Sequence, residues 1–388
     1  MKHIYEINTA VWLSRLSQQH NQPVSLATVP EEEIERIASF GMDTVWLMGI
    51  WQRSPLAAAI NAADESLVTE LTALLPDFTP ADIIGSAYAV KNYTVDERFG
   101  GEAGLQTLRS RLAARGIKLL LDFVPNHTAF DHPWLSDTPE RYISATPAQG
   151  TDYPSRQFRP HGSLLVARGQ DPTLSPWNDV AQLNAFSDSY RQVSIETLRH
   201  IASLADGVRC DMAMLLINDI FAKSWGELAG PAPADEYWQT VIDAVRQTSP
   251  DFVFVAECYW ETETKLVELG FDYVYDKTTY DYLVQHNPTA VAYHVETLKP
   301  IESHLLHFLE NHDEPRAADV FSADEGLEYA ALIVDLPGAC LWHDGQFEGY
   351  QKRIPVHVRR GPLEPINREL LNQYTALLSP RQNKHEKI

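Results

Sequence analysis

Short apolar runs alternate with amphipathic stretches along the whole chain. Eight runs carry the β-branched and aromatic residues typical of strands. They are HIYEIN (3–8), DTVWLMGI (43–50), IKLLLDFV (117–124), DGVRCDM (206–212), FVFVAEC (252–258), YVYDK (273–277), LLHFLEN (305–311) and ACLWHDG (339–345). Stretches between them, such as 31–40, 103–115 and 188–205, have a helical pattern of apolar residues. The alternation predicts parallel strand-helix units.

Eight such units predict the α/β fold class, in the form of a closed (β/α)8 TIM barrel with its active site at the carboxyl ends of the strands. An open doubly wound sheet is the alternative, but the sequence has no glycine-rich phosphate loop behind a strand. We expect residues 1–127 and 188–388 to form the barrel. Residues 128–187, rich in Pro, Asp, Thr and aromatic residues, are expected to form an inserted loop region over its mouth.

Composition and charge exclude several classes of partner. The 388 residues are 44% hydrophobic and 22% charged, as in an ordinary globular protein with a large core. A net charge of -22 repels phosphate backbones and anionic membrane surfaces, so we expect neither nucleic acid nor a membrane as partner. No apolar run approaches the roughly 20 residues of a membrane span, and the N-terminus is typical of a strand rather than a signal peptide. We therefore expect a cytoplasmic location, while the oligomeric state stays open.

Arg209 and Asp211 are two residues apart in a predicted strand, so their side chains point to the same side. An arginine beside a carboxylate keeps that carboxylate ionised, as a nucleophile requires. A structural ion pair explains the same two residues equally well.

Two further strand ends carry acidic residues. Glu257 ends an apolar strand, where burial raises a carboxyl pKa and suits a general acid, although one buried glutamate can also be structural. The segment FLENHDEPR delivers Asn311, His312 and Asp313, and its alternative explanation is a capped helix start. Together with Asp211, these residues place three carboxylates on three strand ends of one predicted barrel. Retaining glycoside hydrolysis needs two such carboxylates, an acid and a nucleophile, about 5–5.5 Å apart.

Four ordered segments carry a specific resemblance. DFVPNH (122–127), DGVRCDMA (206–213), VAECYW (255–260) and FLENHD (308–313) resemble the four signature regions of the α-amylase family, glycoside hydrolase family 13. The segment at 88–101 resembles the one that this family places before the helix leading to its third strand. The resemblance covers about 3–360, and four motifs in the family's order are improbable by chance.

The resemblance implies roles at matching positions. It makes Asp211 the nucleophile, Glu257 the general acid and then base, and Asp313 the transition-state stabiliser. The resemblance also implies that further residues bind the sugar or support the site, namely Tyr88, Asp122, Asn126, His127, Arg209 and His312. Trp260 is an additional candidate for stacking on a sugar, with packing as its alternative.

The sequence departs from the family pattern at Asn92, where many members carry Asp, and at two further places. Ala213 and Met214 stand where calcium-dependent members often carry Lys-His. We therefore expect no cofactor, with calcium bound through Asn126 and Asp179 as the alternative. The chain also stops soon after the eighth helix, so we expect the family's C-terminal β-sandwich to be absent or the chain to be truncated.

The resulting functional hypothesis is a retaining α-glycosidase that cleaves malto-oligosaccharides or related α-glucans by double displacement. An α-glucan or glucosyl transferase, or a sugar phosphorylase, is the alternative, because the same three carboxylates serve those reactions. An inactive amylase-like binding subunit is a minor alternative, since such proteins normally lose one of the three and this chain has them all.

Overall fold

Eight parallel strands follow one another around a closed barrel. The computed structural model describes residues 2–146, 157–173 and 175–379. Each barrel strand pairs with its neighbours in sequence, and the last pairs with the first. The predicted α/β barrel is confirmed. Its strands are β1 (His3–Asn8), β2 (Thr44–Met48), β3 (Lys118–Phe123), β4 (Gly207–Cys210), β5 (Val253–Ala256), β6 (Tyr273–Tyr275), β7 (Leu305–His307) and β8 (Ala339–His343).

Seven of the eight strands end slightly earlier than the sequence predicts, and β4 and β5 end directly before their acidic residues. Asp211 and Glu257 directly follow β4 and β5, and their backbone amides still bond to neighbouring strands. The Asp211 amide donates to the Phe123 carbonyl at 2.8 Å, and the Glu257 amide donates to the Cys210 carbonyl at 3.0 Å. These last bonds fix both carboxylates at the carboxyl end of the barrel.

A glycine permits the close approach of the strands at β4. A Cβ atom on Gly207 would lie 2.6 Å from both the Val253 carbonyl oxygen and a methyl group of Leu120. Because β4 pairs with β3 on one side and with β5 on the other, a side chain at this position would push its neighbours apart.

Helices surround the barrel and connect its strands. The helix predicted over 188–205 begins at Ser187, whose hydroxyl accepts a hydrogen bond from the Tyr190 amide, and it buries an apolar face that includes Leu198 and Ile201. The α-helices of the described residues are Thr9–Gln19, Glu31–Ser39, Pro55–Ala62, Glu65–Leu74, Gly101–Ala113, Pro133–Asp137, Asp188–Leu204, Asn218–Trp225, Tyr237–Arg246, Glu263–Glu268, Lys277–Val284, Pro288–Thr297, Ala317–Val320, Ala323–Asp335 and Arg368–Leu378.

Small antiparallel sheets lie outside the barrel, in the long connections after β2 and β3. Their strands are Trp51–Arg53 with Val90–Val95, His127–Ala129 with Val180–Gln182, and Ser144–Ala145 with Phe158–His161 and Leu164–Ala167. The second pair connects the end of β3 to the far end of the inserted region. The division of the chain into a barrel and an inserted region at 128–187 stays a prediction.

The segment after β8 is fixed to the long loop after β2 by ion pairs. Arg360 and Arg359 contact the buried carboxylate of Asp82 at 2.7 and 3.0 Å, and Arg353 contacts Glu70 at 3.1 Å. As far as residue 379, the described chain beyond β8 contains loops and one α-helix but no β-sandwich. None of the described helices is long and apolar enough to cross a membrane. The cytoplasmic location stays a prediction.

Candidate active site

A pocket of about 400 Å³ lies at the carboxyl end of the barrel. This volume is in the range of about 300–1,000 Å³ that is usual for small-molecule sites. The pocket brings together the three predicted carboxylates, Asp211, Glu257 and Asp313. Its walls also include aromatic and polar side chains, among them Tyr88, His127, Trp177, Asp179, Tyr259 and His357.

Arg209 connects two of the three carboxylates from below. One of its terminal nitrogens lies 2.7 Å from Asp211 Oδ1 and the other lies 2.8 Å from Glu257 Oε2. The guanidinium is almost fully buried, between the rings of Trp46 and Tyr88 at 5.2 and 5.4 Å. A buried arginine strengthens both contacts because little water screens them. Arg209 therefore orients the two carboxylates and does not line the pocket.

Glu257 is held through both of its oxygens. Oε2 also accepts the Met212 amide at 2.5 Å, and Oε1 accepts the Tyr259 hydroxyl at 2.7 Å. Burial raises the pKa of Glu257 to about 7 and that of Asp211 to about 6, although the charge of Arg209 opposes both shifts. Burial thus brings the pKa values of both carboxyl groups near neutral pH.

Asp313 differs from the other two carboxylates because its side chain is 46% exposed. Its Oδ2 lies 3.0 Å from His312 Nε2. Desolvation by the pocket walls opposes ionisation, yet the charge of His312 lowers the pKa of Asp313 to about 2. Asp313 is therefore ionised at any ordinary working pH.

His312 lies between two carboxylates. Its Nδ1 contacts the fully buried Glu6 of β1, and its Nε2 also contacts the Tyr88 hydroxyl at 2.8 Å. Burial acts to lower the pKa of His312, but the charges of Asp313 and Glu6 raise it well above its usual value. Sequence reasoning missed Glu6. A glutamate between Tyr5 and Ile7, in the middle of a predicted strand, was the available signal.

The remaining predicted residues divide between pocket wall and support. His127 lines the pocket beside the Trp177 ring, and burial lowers the pKa of His127 to about 4, so its imidazole is neutral. Asp122 lies below the pocket, where its carboxylate accepts hydrogen bonds from the Trp46 ring at 3.1 Å and the Gly49 amide at 2.7 Å. Tyr88 is in the wall, and its stacking on a sugar stays a prediction.

Trp260 does not belong to the pocket. Its side chain is 42% exposed, and the backbone turns at Trp260 and Glu261, which have φ values of 60° and 58°. This left-handed turn ends the extended course of the chain after Glu257, so the neighbouring Tyr259 lines the pocket instead. The stacking of Trp260 on a sugar stays a prediction.

The two predicted calcium ligands are engaged by different hydrogen-bond partners. Asn126 Oδ1 accepts a hydrogen bond from Gln182 Nε2 at 2.9 Å, and Asp179 Oδ2 accepts one from Asn61 Nδ2 at 3.1 Å. Within the described ranges, no group of three or more His, Cys, Asp or Glu side chains could hold a metal ion. Both predicted ligand side chains thus already accept a hydrogen bond from an amide, which disfavours a resident calcium ion, and the absence of a cofactor stays a prediction.

A family model described as alpha amylase, catalytic domain, matches residues 31–357, which is most of the chain. The chain belongs to the α-amylase family. Together with the closed barrel, this match places the signature segments recognised in the sequence within a catalytic domain of that family.

Similar proteins agree with this membership. The α-amylase MalA of Haloarcula japonica is 22% identical over 330 residues, covering 83% of this chain and 41% of MalA. Alpha-amylase 3 of Dictyoglomus thermophilum is 21% identical over 338 residues, covering 80% of this chain and 62% of that relative. A cyclic α-maltosyl-(1→6)-maltose hydrolase from Arthrobacter globiformis, solved with maltose, has a TM-score of 0.67 at 18% identity, over 97% of this chain and 82% of its own. The chain thus spans less than two thirds of the two curated relatives.

Proposed function

We propose that this α-amylase-family chain hydrolyses α-glucosidic bonds of malto-oligosaccharides or related α-glucans with retention of configuration. The observation that carries the proposal is the bridging of Asp211 and Glu257 by the single guanidinium of Arg209. Two carboxylates bonded to one small planar group are close together. This arrangement supports a retaining mechanism, in which the two carboxyl groups are about 5–5.5 Å apart.

In the first step Asp211 attacks the anomeric carbon of the sugar. Its Oδ1 is engaged by Arg209, whereas Oδ2 accepts no hydrogen bond from the described residues and is free to form the ester bond. As that bond forms, the bond to the leaving oxygen breaks and Glu257 transfers its proton to that oxygen. Because Arg209 and the Met212 amide occupy Oε2, the transferred proton is carried by Oε1.

In the second step water replaces the leaving group. Glu257, now ionised, accepts a proton from water while the water oxygen bonds to the anomeric carbon and the ester to Asp211 breaks. Asp313 stays ionised throughout because of His312, and its negative charge at the pocket wall favours the positively charged sugar of the transition state.

The character of the pocket supports a neutral sugar as substrate. Carboxylates outnumber cationic groups on its lining, which disfavours an anionic ligand. The rings of Tyr88, Trp177 and Tyr259 offer apolar faces for the C–H surface of a sugar. The structural relative from Arthrobacter globiformis binds maltose, which agrees with an oligosaccharide ligand.

The test combines product analysis with loss of the nucleophile. We expect the chain to release shorter sugars from maltotriose, and Asp211→Asn to reduce kcat/KM by about 10⁴-fold or more. Asp219→Asn, at an exposed aspartate on the helix after β4, is the matched control and should leave activity unchanged. Formation of transfer products alone would refute hydrolysis, and an active Asp211→Asn enzyme would refute the assignment of the nucleophile.

A further inference from the structure

The side chain of Gln182 lies inside a cluster of oxygen atoms. Gln182 is fully buried at the end of the strand Val180–Gln182, opposite His127 of the paired strand. Its Nε2 lies 2.9 Å from both the carbonyl oxygen and the Oδ1 of Asn126, and 3.1 Å from the carbonyl oxygen of Leu183. Three oxygens from two residues therefore surround one amide nitrogen.

This cluster has more acceptors than the amide has hydrogens. An amide nitrogen carries two N–H bonds, so three oxygens share two donors. The orientation of the amide is fixed by Gln182 Oε1, which accepts the Gln170 amide at 3.4 Å. Backbone and amide carbonyl oxygens are among the ligands that Ca²⁺ takes in proteins.

We propose that the amide of Gln182 takes the place of a structural cation, so that the loop after β3 and the inserted region are held together without a metal ion. The hydrogen bonds join the loop after β3 to the far end of the inserted region, as a shared cation would. The Leu183 amide adds a further bond to the Asn126 carbonyl at 3.0 Å. Asn126 Nδ2 also lies 3.3 Å from Nδ1 of His127 in the pocket wall, so the cluster contacts a pocket residue.

The charge of the cluster favours the amide over a cation. All three oxygens belong to neutral groups, whereas Ca²⁺ sites gain affinity from carboxylates. The nearest predicted carboxylate ligand, Asp179, is bonded to Asn61 instead and does not contact Gln182 Nε2. A neutral donor therefore satisfies the cluster, and a divalent cation here would lack a compensating negative charge.

The experiment compares metal responses of the full chain, and it does not depend on the proposed hydrolase function. After treatment with EDTA, thermal unfolding and isothermal titration are measured with CaCl2 and separately with MgCl2. We expect the wild type to bind neither ion and to keep its Tm. Gln182→Glu replaces the N–H donors with a carboxylate, so we expect a lower Tm without metal and a saturable rise of several degrees with Ca²⁺.

Gln346→Glu is the matched control. Gln346 is also a buried amide, but its Nε2 faces the Tyr374 hydroxyl and not a cluster of oxygens. This variant should lose stability without gaining a response to Ca²⁺. A wild type that binds one Ca²⁺ per chain and loses stability in EDTA would overturn the proposal, and that comparison stands even if Gln182→Glu fails to fold. A folded Gln182→Glu protein that ignores Ca²⁺ would overturn it as well.

Discussion

Tyr259 controls the oxygen of Glu257 that carries the catalytic proton in the proposed mechanism. Its hydroxyl donates to Oε1 at 2.7 Å, while Oε2 is engaged by Arg209 and the Met212 amide. A donor to a carboxylate stabilises the ionised form and lowers the pKa of the acid. Tyr259→Phe removes this donor and keeps the ring, so the pKa of Glu257 should rise.

The expected size of this rise in pKa follows from the usual strength of a hydrogen bond to a charged group. A hydrogen bond to a charged group contributes about 1.5–3 kcal/mol, and one pKa unit corresponds to about 1.4 kcal/mol. The pKa of Glu257 should therefore rise from about 7 by roughly 1–2 units. Because the reaction needs protonated Glu257, the basic limb of the plot of kcat/KM against pH should move to higher pH. The acidic limb, set by the ionisation of Asp211 at about 6, should stay in place.

The assay is kcat/KM for maltotriose measured from acidic to alkaline pH. The second substrate is an aryl maltoside whose phenol is acidic enough to leave as the phenolate without being protonated. Tyr259→Phe should therefore have little effect on the first step with this substrate. Tyr142→Phe is the control, because that buried hydroxyl contacts Thr128 Oγ1 at 2.8 Å and no carboxylate. A basic limb that stays in place or moves to lower pH in Tyr259→Phe would refute the reasoning.

Two further substitutions test the framework beneath the pocket. Glu6→Gln removes the ionised partner of buried His312 and should lower the free energy of unfolding by about 3 kcal/mol in urea titrations near pH 6. That difference should shrink in acid, as pH falls through the lowered pKa of Glu6, and in alkali, as pH rises through the raised pKa of His312. Equal stability of the two proteins would contradict the ion pair. Gly207→Ala places a Cβ 2.6 Å from the Val253 carbonyl oxygen and should cost about 1–3 kcal/mol or more, visible as a lower Tm. An unchanged Tm would show that the strands can move apart freely.

The barrel could be predicted because its strands are local features of the sequence. A run such as IKLLLDFV is apolar at six of its eight positions because both faces of a barrel strand are largely buried, and this pattern needs no knowledge of distant residues. The three carboxylates could be predicted for the same reason, because each follows or ends such a run. Their roles stay predictions until the variants are measured.

The contacts around those carboxylates could not be predicted in the same way. Glu6 and His312 are 306 positions apart, and nothing near either residue indicates its partner. Tyr259 and Trp260 are adjacent aromatic residues, and only the left-handed turn at Trp260 decides which one lines the pocket. The amide of Gln182 meets Asn126 because two short strands pair across the inserted region, which single-sequence patterns do not specify.

The pairing of β1 with β8 has a consequence for folding. In synthesis β1 is the first barrel strand to emerge, yet one of its two neighbours, β8, is the last. Contacts between distant parts of a chain form slowly, because the entropy of closing a long loop opposes them. Glu6 contacts His312 only when the barrel is closed by the pairing of β1 with β8. A nascent chain can therefore form most of its helices and still lack a complete site. The pocket is completed by the pairing of the first and last barrel strands.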